Sequence, residues 1–331
     1  MNSNNPLHHL DPRMYSVANA DEATRIRMLE KDLFIEHAYS RHLTSMLTEL
    51  VTRPRQTRMP CLLITGDAGM GKTAQLHRFQ RQFPDELDPA TGTLHRPIVM
   101  ANVPPEPTRV TLTLALLEAL RAPLIVSHRS VDKAAVIRRL LAAHSTRVVV
   151  FDEIQHLCYS RRRDRLVVLD TIKAVSTDHQ LNVICAGTNG VEREFLAAPQ
   201  LASRFDIAML TPWRADSAFK GFLGTYERIR PLRLPSRLTE PDMMRAILEE
   251  TRGITHRVMQ RLNAAAMVAV HERVERITPE LISVQRTDPA RVHEARRAAQ
   301  CASDKDERPK HSIPIDPLGA HPEAPPAAVQ P

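Results

Sequence analysis

The chain has 331 residues, enough to bury an α/β core and to carry a second, smaller domain. Its 45 lysines and arginines exceed its 38 aspartates and glutamates, and the formal charge of +7 is compatible with nucleic acid without requiring it. Aromatic residues form 4% of the chain, which argues against a surface that stacks exposed bases, and the four cysteines lack the spacing of a zinc site.

The first 58 residues contain no strand pattern. Residues 1–20 are polar and irregular, so we expect a flexible N-terminal arm, and they lack the apolar core of a secretion signal. Residues 21–58 predict an N-terminal helical segment, with apolar faces around Leu29 and Leu47. No stretch is long and apolar enough for a membrane span, and no cysteine pattern indicates disulfides. We therefore expect a cytoplasmic protein with no membrane contact.

A glycine-rich loop follows the apolar run 61–65, which we predict to be the first strand. The loop reads Gly66, Asp67, Ala68, Gly69, Met70, Gly71, Lys72 and Thr73. A helical pattern follows it, and this strand–loop–helix order is that of a P-loop. Its amides would bind phosphate, Lys72 would reach the β- and γ-phosphates, and the Thr73 hydroxyl would ligate Mg²⁺. The loop predicts ATP and Mg²⁺ as cofactors; the alternative is a chance glycine loop.

Further apolar runs alternate with helical patterns as far as Trp213. They lie at residues 98–101, 147–151, 182–186 and 205–210. Strands separated by helices predict a doubly wound, parallel, five-stranded α/β sheet over residues 59–213. Only helical periodicity follows, so residues 214–300 predict a small helical lid domain, and the Pro/Ala-rich residues 301–331 predict a disordered tail.

Two carboxylates end the third apolar run. Ligands of open α/β sheets bind at the carboxyl ends of the strands, which is where Asp152 and Glu153 fall. Asp152 would hold Mg²⁺, and Glu153 would orient or deprotonate the attacking water. The alternative is that both acids serve as a cap and first-turn residue of the next helix.

Two further positions complete the predicted site. Thr188 and Asn189 follow the fourth strand and would contact the γ-phosphate or the attacking water, unless they form a simple turn. Arg204 precedes the last strand and would project toward the nucleotide of a neighbouring subunit, unless it is an ordinary surface arginine.

With these motifs in order, the sequence resembles AAA+ P-loop ATPases, and among them the TniB/TnsC group of bacterial transposition proteins, with MuB and IstB as more distant relatives. The resemblance covers roughly residues 20–285 and is most specific from Arg58 through Thr73. It implies a slow, regulatory ATPase that forms a ring or filament on double-stranded DNA in the bacterial cytoplasm, selects the target and activates a DDE-type, TniA/TnsB-like transposase. A TniQ-like targeting protein is a further implied partner. Many relatives place a sensor arginine three residues after a glycine. Here His256 has that spacing from Gly253, and we assign the role to Arg257.

The resemblance also suggests which loops face DNA, those after the second and third strands. Their candidates are Arg109, Thr111, Arg161, Arg162 and Arg163. Cations at phosphate spacing would bind DNA irrespective of sequence, although a solvated loop explains the same residues. Two other functions stay open: a DnaC/IstB-like helicase-loader adaptor and a P-loop signalling switch without a DNA role.

Overall fold

The computed structural model describes residues 6–122 and 132–283. The predicted tail at 301–331 and the predicted helix start at Ser130 lie outside these residues. The strands are β1 (Cys61–Gly66), β2 (Glu86–Leu87), β3 (Leu94–His95), β4 (Ile98–Asn102), β5 (Val148–Asp152), β6 (Asn182–Gly187) and β7 (Phe205–Leu210). The helices are α1 (Tyr15–Ala18), α2 (Glu22–Glu30), α3 (Ala38–Thr52), α4 (Lys72–Gln82), α5 (Arg109–Ala119), α6 (Lys133–Ala143), α7 (Arg162–His179), α8 (Val191–Leu196), α9 (Pro199–Ala202), α10 (Ser217–Ile229), α11 (Pro241–Thr251), α12 (Thr255–His271) and α13 (Pro279–Ser283).

Five strands form one sheet in the order β4-β5-β6-β1-β7, and every neighbouring pair is parallel. Strands β1, β5 and β6 are buried along their whole length, as expected of apolar runs covered on both faces. The predicted five-stranded parallel sheet is therefore confirmed. The registers pair Thr65 with Gly187 and Asn102 with Asp152, so the loops after these strands leave from one edge.

Helices cover both faces of the sheet. The side chains of Leu62 and Ile64 pack with α3 and α4, whereas Cys61 and Leu63 face the opposite core, which contains α5, α6, α7 and α8. This alternation within β1 follows the two-residue period of a strand. The antiparallel pair of β2 and β3 lies outside the sheet and was not predicted.

A third apolar core holds the helical unit together. It contains Trp213, α10, α11, α12 and α13, and it also includes Leu29 of α2. The guanidinium of Arg25 on α2 is buried, pairs with Glu275 and donates from Nε to the Pro231 carbonyl at 3.0 Å. The predicted N-terminal helical segment thus splits, because α2 joins the helical unit while α3 packs on the sheet.

The expected flexible arm differs from the structure over residues 6–20. Leu7, Leu10 and Met14 are buried together with Ala18. The Asp11 amide donates to the Arg228 carbonyl at 2.7 Å, so this segment is attached to the helical unit. Its apolar residues are too few and too irregularly spaced to predict a helix, and the hydrogen-bond partners of its Asp11 and His9 lie more than 200 positions away in sequence. Among the described residues, no helix has the length and apolar character needed to cross a membrane.

Candidate nucleotide site

The P-loop joins β1 to α4 and lies against the helical unit. Gly69 has φ +82°, a left-handed conformation that favours glycine. A Cβ there would come within 3.1 Å of both Ile254 and His256. The His256 amide also donates to the Gly69 carbonyl at 2.9 Å. A side chain at position 69 would therefore separate the loop from the start of α12.

The Lys72 ammonium lies inside the loop. Its Nζ donates to the carbonyls of Gly66 at 2.8 Å and Asp67 at 3.0 Å. Burial lowers the pKa of Lys72, and the charges of Asp152, Glu153 and Asp67 oppose that effect. Within the described residues the ammonium donates to no carboxylate, so an anion that entered the loop would compete with two carbonyls for its protons.

The two sequence motifs meet at the first turn of α4. The Thr73 hydroxyl donates to Asp152 Oδ2 at 2.7 Å, and Asp152 Oδ1 accepts the Glu153 amide at 2.8 Å. A hydroxyl and a carboxylate are hard oxygen donors, which suit Mg²⁺. No group of three or more His, Cys, Asp or Glu side chains able to hold a metal occurs in the described part of the chain. The donor set thus fits an ion that takes its other ligands from phosphates and water.

The loop after β6 reaches the same edge. Asn189 Nδ2 donates to Asp67 Oδ1 at 2.6 Å, so this predicted residue contacts the P-loop directly. The Thr188 amide donates to Gln155 Oε1 at 3.2 Å. Gln155 also donates to the Glu153 carboxylate. No sequence pattern singles out Gln155, because its contacts depend on the 3-10 turn Ile154–Tyr159 that follows β5.

Arg204 lies at the opposite edge of the sheet. Its carbonyl accepts the amide of Cys61, the first residue of β1, at 3.0 Å. Since β1 advances roughly 3.3 Å per residue, the P-loop at its other end is about 17 Å away. Arg58 holds this corner by donating to the Ser203 carbonyl at 2.6 Å and to its hydroxyl at 2.7 Å. The structure therefore does not bring Arg204 to the P-loop of its own chain.

A cleft of about 1350 Å³ lies beside the P-loop. Its walls come from residues 30–43, from the P-loop and from α12, and they include Arg257, the predicted sensor. Sequence reasoning missed an aromatic group here: the rings of His37 and Trp213 meet edge-on at 4.7 Å, and Phe222 lies 4.9 Å from Trp213. Burial, followed by the charge of Arg41, lowers the pKa of His37 to about 4.

These aromatic side chains give the cleft an apolar wall that is uncharged at neutral pH. Trp213 Nε1 donates to the Thr255 hydroxyl at 3.0 Å, which fixes the indole against the start of α12 in the helical unit. The signal in the sequence was Trp213 itself, the only tryptophan of the chain, directly after the last strand.

The residues predicted to contact DNA lie at the starts of two helices. Arg109 begins α5 and Arg162 begins α7, and both side chains are exposed, as are Arg161 and Arg163. Because β4 and β5 are neighbouring parallel strands, the segments that follow them, which carry these arginines, leave from the same edge of the sheet. Thr111 differs from the other candidates. It forms the capping box of α5 with Thr108, whose hydroxyl accepts its amide at 3.2 Å, so its hydroxyl serves the helix.

Comparison with known proteins places these features in a family. The family model described as "Bacterial TniB protein" matches residues 25–215. No curated protein matches the chain.

Three solved structures show a similar fold. One is Cdc6p from Pyrobaculum aerophilum, with TM-score 0.53, 14% identity, and coverage of 88% of this chain and 86% of that one. Another is the Aeropyrum pernix ORC1 protein in complex with DNA, with TM-score 0.51, 19% identity and coverage of 85% and 70%. The third is the Aeropyrum pernix ORC2 protein with ADPNP and ADP, with TM-score 0.52, 14% identity and coverage of 81% and 71%. At these identities the likeness concerns the fold, which is that of AAA+ P-loop ATPases.

Proposed function

The chain belongs to the TniB family, and from that premise we propose that it is an ATP-dependent, DNA-binding regulator of transposition. It would oligomerise on target DNA as a ring or filament, select the target and activate a DDE-type, TniA/TnsB-like transposase. A TniQ-like targeting protein is a further proposed partner. The observation that supports this most is the meeting of Thr73, from the P-loop, with Asp152 at 2.7 Å.

The proposed reaction is hydrolysis of ATP to ADP and phosphate. The amides of residues 66–73 would bind the phosphates at the start of α4, and Lys72 would turn from its two carbonyls to the β- and γ-phosphates. Mg²⁺, held by Thr73 and Asp152, would neutralise charge on the phosphates. Glu153 would accept a proton from the attacking water, and Thr188 and Asn189 would orient the γ-phosphate.

We further propose that the nucleotide lies between two domains, the α/β unit at residues 59–213 and the lid at 214–300. The base would occupy the apolar wall formed by His37 and Trp213, since neutral aromatic rings stack on a base without a charge penalty. Arg257, on the cleft side of α12, would contact the phosphates and so link nucleotide binding to the position of the lid.

Assembly would complete the site. Arg204 lies about 17 Å from its own P-loop, estimated from strand rise, which favours action on the nucleotide of a second subunit. Its guanidinium would stabilise charge in the transition state in trans. Hydrolysis would then depend on protein concentration, as expected of an assembly switch.

DNA would contact the exposed arginines at positions 109 and 161–163. Their guanidinium groups would neutralise phosphates, so binding should weaken as salt rises and should vary little with sequence. Thr111 is a weaker candidate, because its hydroxyl caps α5.

The experiment is fluorescence anisotropy of a labelled random duplex with the full chain, in ATPγS, in ADP and without nucleotide. We expect binding with ATPγS that weakens between 50 and 200 mM salt. No binding at low salt with ATPγS would overturn the DNA role and favour a signalling switch. A pull-down that recovered a replicative helicase rather than a DDE-type transposase would favour the loader.

A further inference from the structure

Exposed apolar side chains concentrate on the segments that follow β4 and β5. Of the eleven large hydrophobic residues that are exposed in the described part of the chain, five lie in α5, in the 3-10 turn Ile154–Tyr159 and in α7. They are Val110, Leu114, Tyr159, Leu166 and Val167. Single exposed apolar residues are ordinary in soluble proteins, whereas a group of them indicates an interaction site.

The three segments lie side by side. Helix α5 and the 3-10 turn both pack against α7, and their buried residues Leu112, Leu157 and Val168 belong to one core. His156 Nδ1 bonds to the Val103 carbonyl at 2.8 Å, which ties the turn to the residue that follows β4. The exposed apolar residues are therefore carried on a common, well-packed base at the edge where these strands end.

Tyr159 is the most exposed member of the group. Its side chain is 83% exposed, compared with 62% for Val110. The backbone beside it is held, because the Ser160 amide donates to the Leu157 carbonyl at 3.1 Å and the Ser160 hydroxyl donates to the His156 carbonyl at 3.3 Å. The ring thus projects from a fixed turn. A tyrosine has only two side-chain torsions to fix, so it can enter a partner at low entropic cost.

Arginines flank the apolar residues on this surface. Arg109 precedes Val110, Arg161 to Arg163 follow Tyr159 closely, and all four arginines are exposed. Residues 106–114 and 159–167 contain two acids, at positions 106 and 164. A second copy that docked through the same surface would bring like charges together, which is unfavourable. Duplex DNA instead supplies a phosphate for each exposed guanidinium.

Duplex DNA also offers a place for the apolar side chains. Its minor groove is roughly 6 Å wide and 7.5 Å deep, which accommodates an aromatic ring edge-on. Proteins that bind this groove combine cations with apolar side chains that enter between base steps and bend the duplex by about 20–90°. An unpacked ring surrounded by exposed arginines has the chemistry of such a wedge.

We propose that Tyr159, supported by Val110 on the same surface, enters the minor groove of duplex DNA and opens a base step, while the arginines at positions 109 and 161–163 bind the flanking phosphates. DNA would be bent at Tyr159, and sites that deform easily would be bound most tightly. The proposal rests on the proposed function, because it takes DNA as the partner, and it adds a contact that carries no charge.

The test compares two labelled duplexes of about 30 base pairs, one fully paired and one with a single central mismatch, bound by the full chain in ATPγS. A mismatched step is already partly unstacked, so the wild type should bind that duplex about tenfold more tightly. Tyr159→Ala should lose this preference and bind the paired duplex about tenfold more weakly. Energy transfer between dyes at the duplex ends should report a bend with the wild type and none with Tyr159→Ala.

Salt dependence separates the wedge from the phosphate contacts. Tyr159 carries no charge at neutral pH, so Tyr159→Ala should leave the slope of log affinity against log salt unchanged, whereas loss of an arginine that contacts phosphate lowers it. A slope that fell in Tyr159→Ala as it does for a lost arginine would overturn the wedge, because the tyrosine would then act by placing the arginines.

Two control variants accompany Tyr159→Ala. Tyr159→Phe keeps the ring and should bind and bend DNA as the wild type does. Leu87→Ala removes a side chain that is 65% exposed on β2, outside this surface, and should change neither quantity. A Tyr159→Phe variant as weak as Tyr159→Ala, or a Tyr159→Ala variant that binds and bends like the wild type, overturns the proposal.

The remaining outcomes distinguish this proposal from the proposed function. Absence of DNA binding by the wild type at low salt would overturn the DNA role and the wedge together. Binding by the wild type without a bend and without preference for the mismatch would overturn the wedge alone. Loss of ATPγS-dependent assembly in Tyr159→Ala without DNA, measured by sedimentation, would assign Tyr159 to contact between copies and would also overturn the wedge.

Discussion

The two edges of the sheet differ in how far one chain completes them. At the carboxyl edge, side chains from separate loops bond one another: Thr73 to Asp152, and Asn189 to Asp67. At the amino edge, Arg204 is partly buried, and its Nη1 has no hydrogen-bond partner within the described residues. Most buried donors in folded proteins have a partner, so an unpaired Nη1 leaves Arg204 free to bond elsewhere. The contrast agrees with the proposal that the first edge forms within one chain and that a second chain completes the other.

The effect on the most functions should come from Lys72→Ala at the carboxyl edge, because it removes nucleotide binding and whatever depends on it. Removal of a partly buried ammonium from phosphate contact costs about 2–5 kcal/mol, so the affinity for a fluorescent ATP analogue should fall by a factor of about 30 or more. DNA binding in ATPγS should be lost with it. Lys173→Ala is the matched control, because Lys173 contacts Gln200 on the surface. Wild-type nucleotide affinity in Lys72→Ala would contradict the assigned site.

Arg204→Ala tests the amino edge itself. Turnover at high protein concentration should fall by about 10³, as for an arginine supplied in trans, while nucleotide affinity of the dilute chain stays near the wild-type value. An equal mixture with Lys72→Ala should recover part of the activity, since one variant keeps the P-loop and the other keeps the arginine. Failure of the mixture to recover any activity would place Arg204 outside a shared site.

Glu153→Gln tests the carboxyl edge by replacing one carboxylate oxygen with an amide NH2 group. Loss of the general base should lower turnover by about 10²–10³, while nucleotide affinity is retained. Oligomers on DNA should then dissociate more slowly in ATP, as measured by anisotropy decay after dilution. Dissociation as rapid as that of the wild type would show that hydrolysis at Glu153 does not release the oligomer.

The carboxyl edge was more predictable than the amino edge for a physical reason. A P-loop and an acid-terminated apolar strand each follow local sequence rules, so Lys72 and Asp152 could be placed at this edge from spacing alone, and their roles stay predictions. Gln155 could not be assigned, because its contacts depend on the short turn after β5. The aromatic wall was missed as well, since His37 and Trp213 lie 176 positions apart and meet only when the lid packs beside the sheet.

The same distinction between local sequence pattern and tertiary contacts applies to the prediction of the fold. The five strands were predicted because each is a short, mainly apolar run between helical segments, and three of them are buried along their whole length. Helices α8 and α9, with six and four residues, are too short to show a helical period. The separation of α2 from α3 was missed, since both carry apolar faces and only tertiary packing decides which core each one joins.

A smaller effect is expected at the exposed arginines near the carboxyl edge. Arg162→Ala with Arg163→Ala should reduce the slope of log affinity for duplex DNA against log salt by up to about 1.8, the value for two phosphate contacts. The control is Arg138→Ala with Arg139→Ala, which removes two exposed arginines from α6. Equal slopes in both double variants would show that the start of α7 makes no special contact with DNA.

The smallest effect concerns how the free energy of unfolding depends on pH through His37, which lies in the wall of the cleft beside the P-loop. The pKa of His37 lies at about 4, below its ordinary value of 6.5, because burial disfavours the charged ring. The unfolded chain therefore binds this proton at higher pH than the folded chain does. The contribution of His37 to the free energy of unfolding is complete above pH 6.5 and is lost as the pH falls toward 4. Between pH 7.5 and 5 the free energy of unfolding should fall by about 1 kcal/mol through His37, after allowance for its partial exposure.

His37→Asn isolates this contribution in urea unfolding at a series of pH values. His37 accepts the Ser40 amide at the start of α3, and asparagine can replace it as the N-cap while lacking a titrating ring. The variant should be less stable at pH 7.5, because the contact with Trp213 is lost, yet its stability should fall less steeply toward pH 5. The other histidines whose pKa burial lowers, His9, His144 and His179, are the same in both proteins and cancel in the difference. Parallel pH profiles would mean that the His37 ring is as free to take up a proton in the folded chain as in the unfolded one, and that the wall of the cleft is open to water.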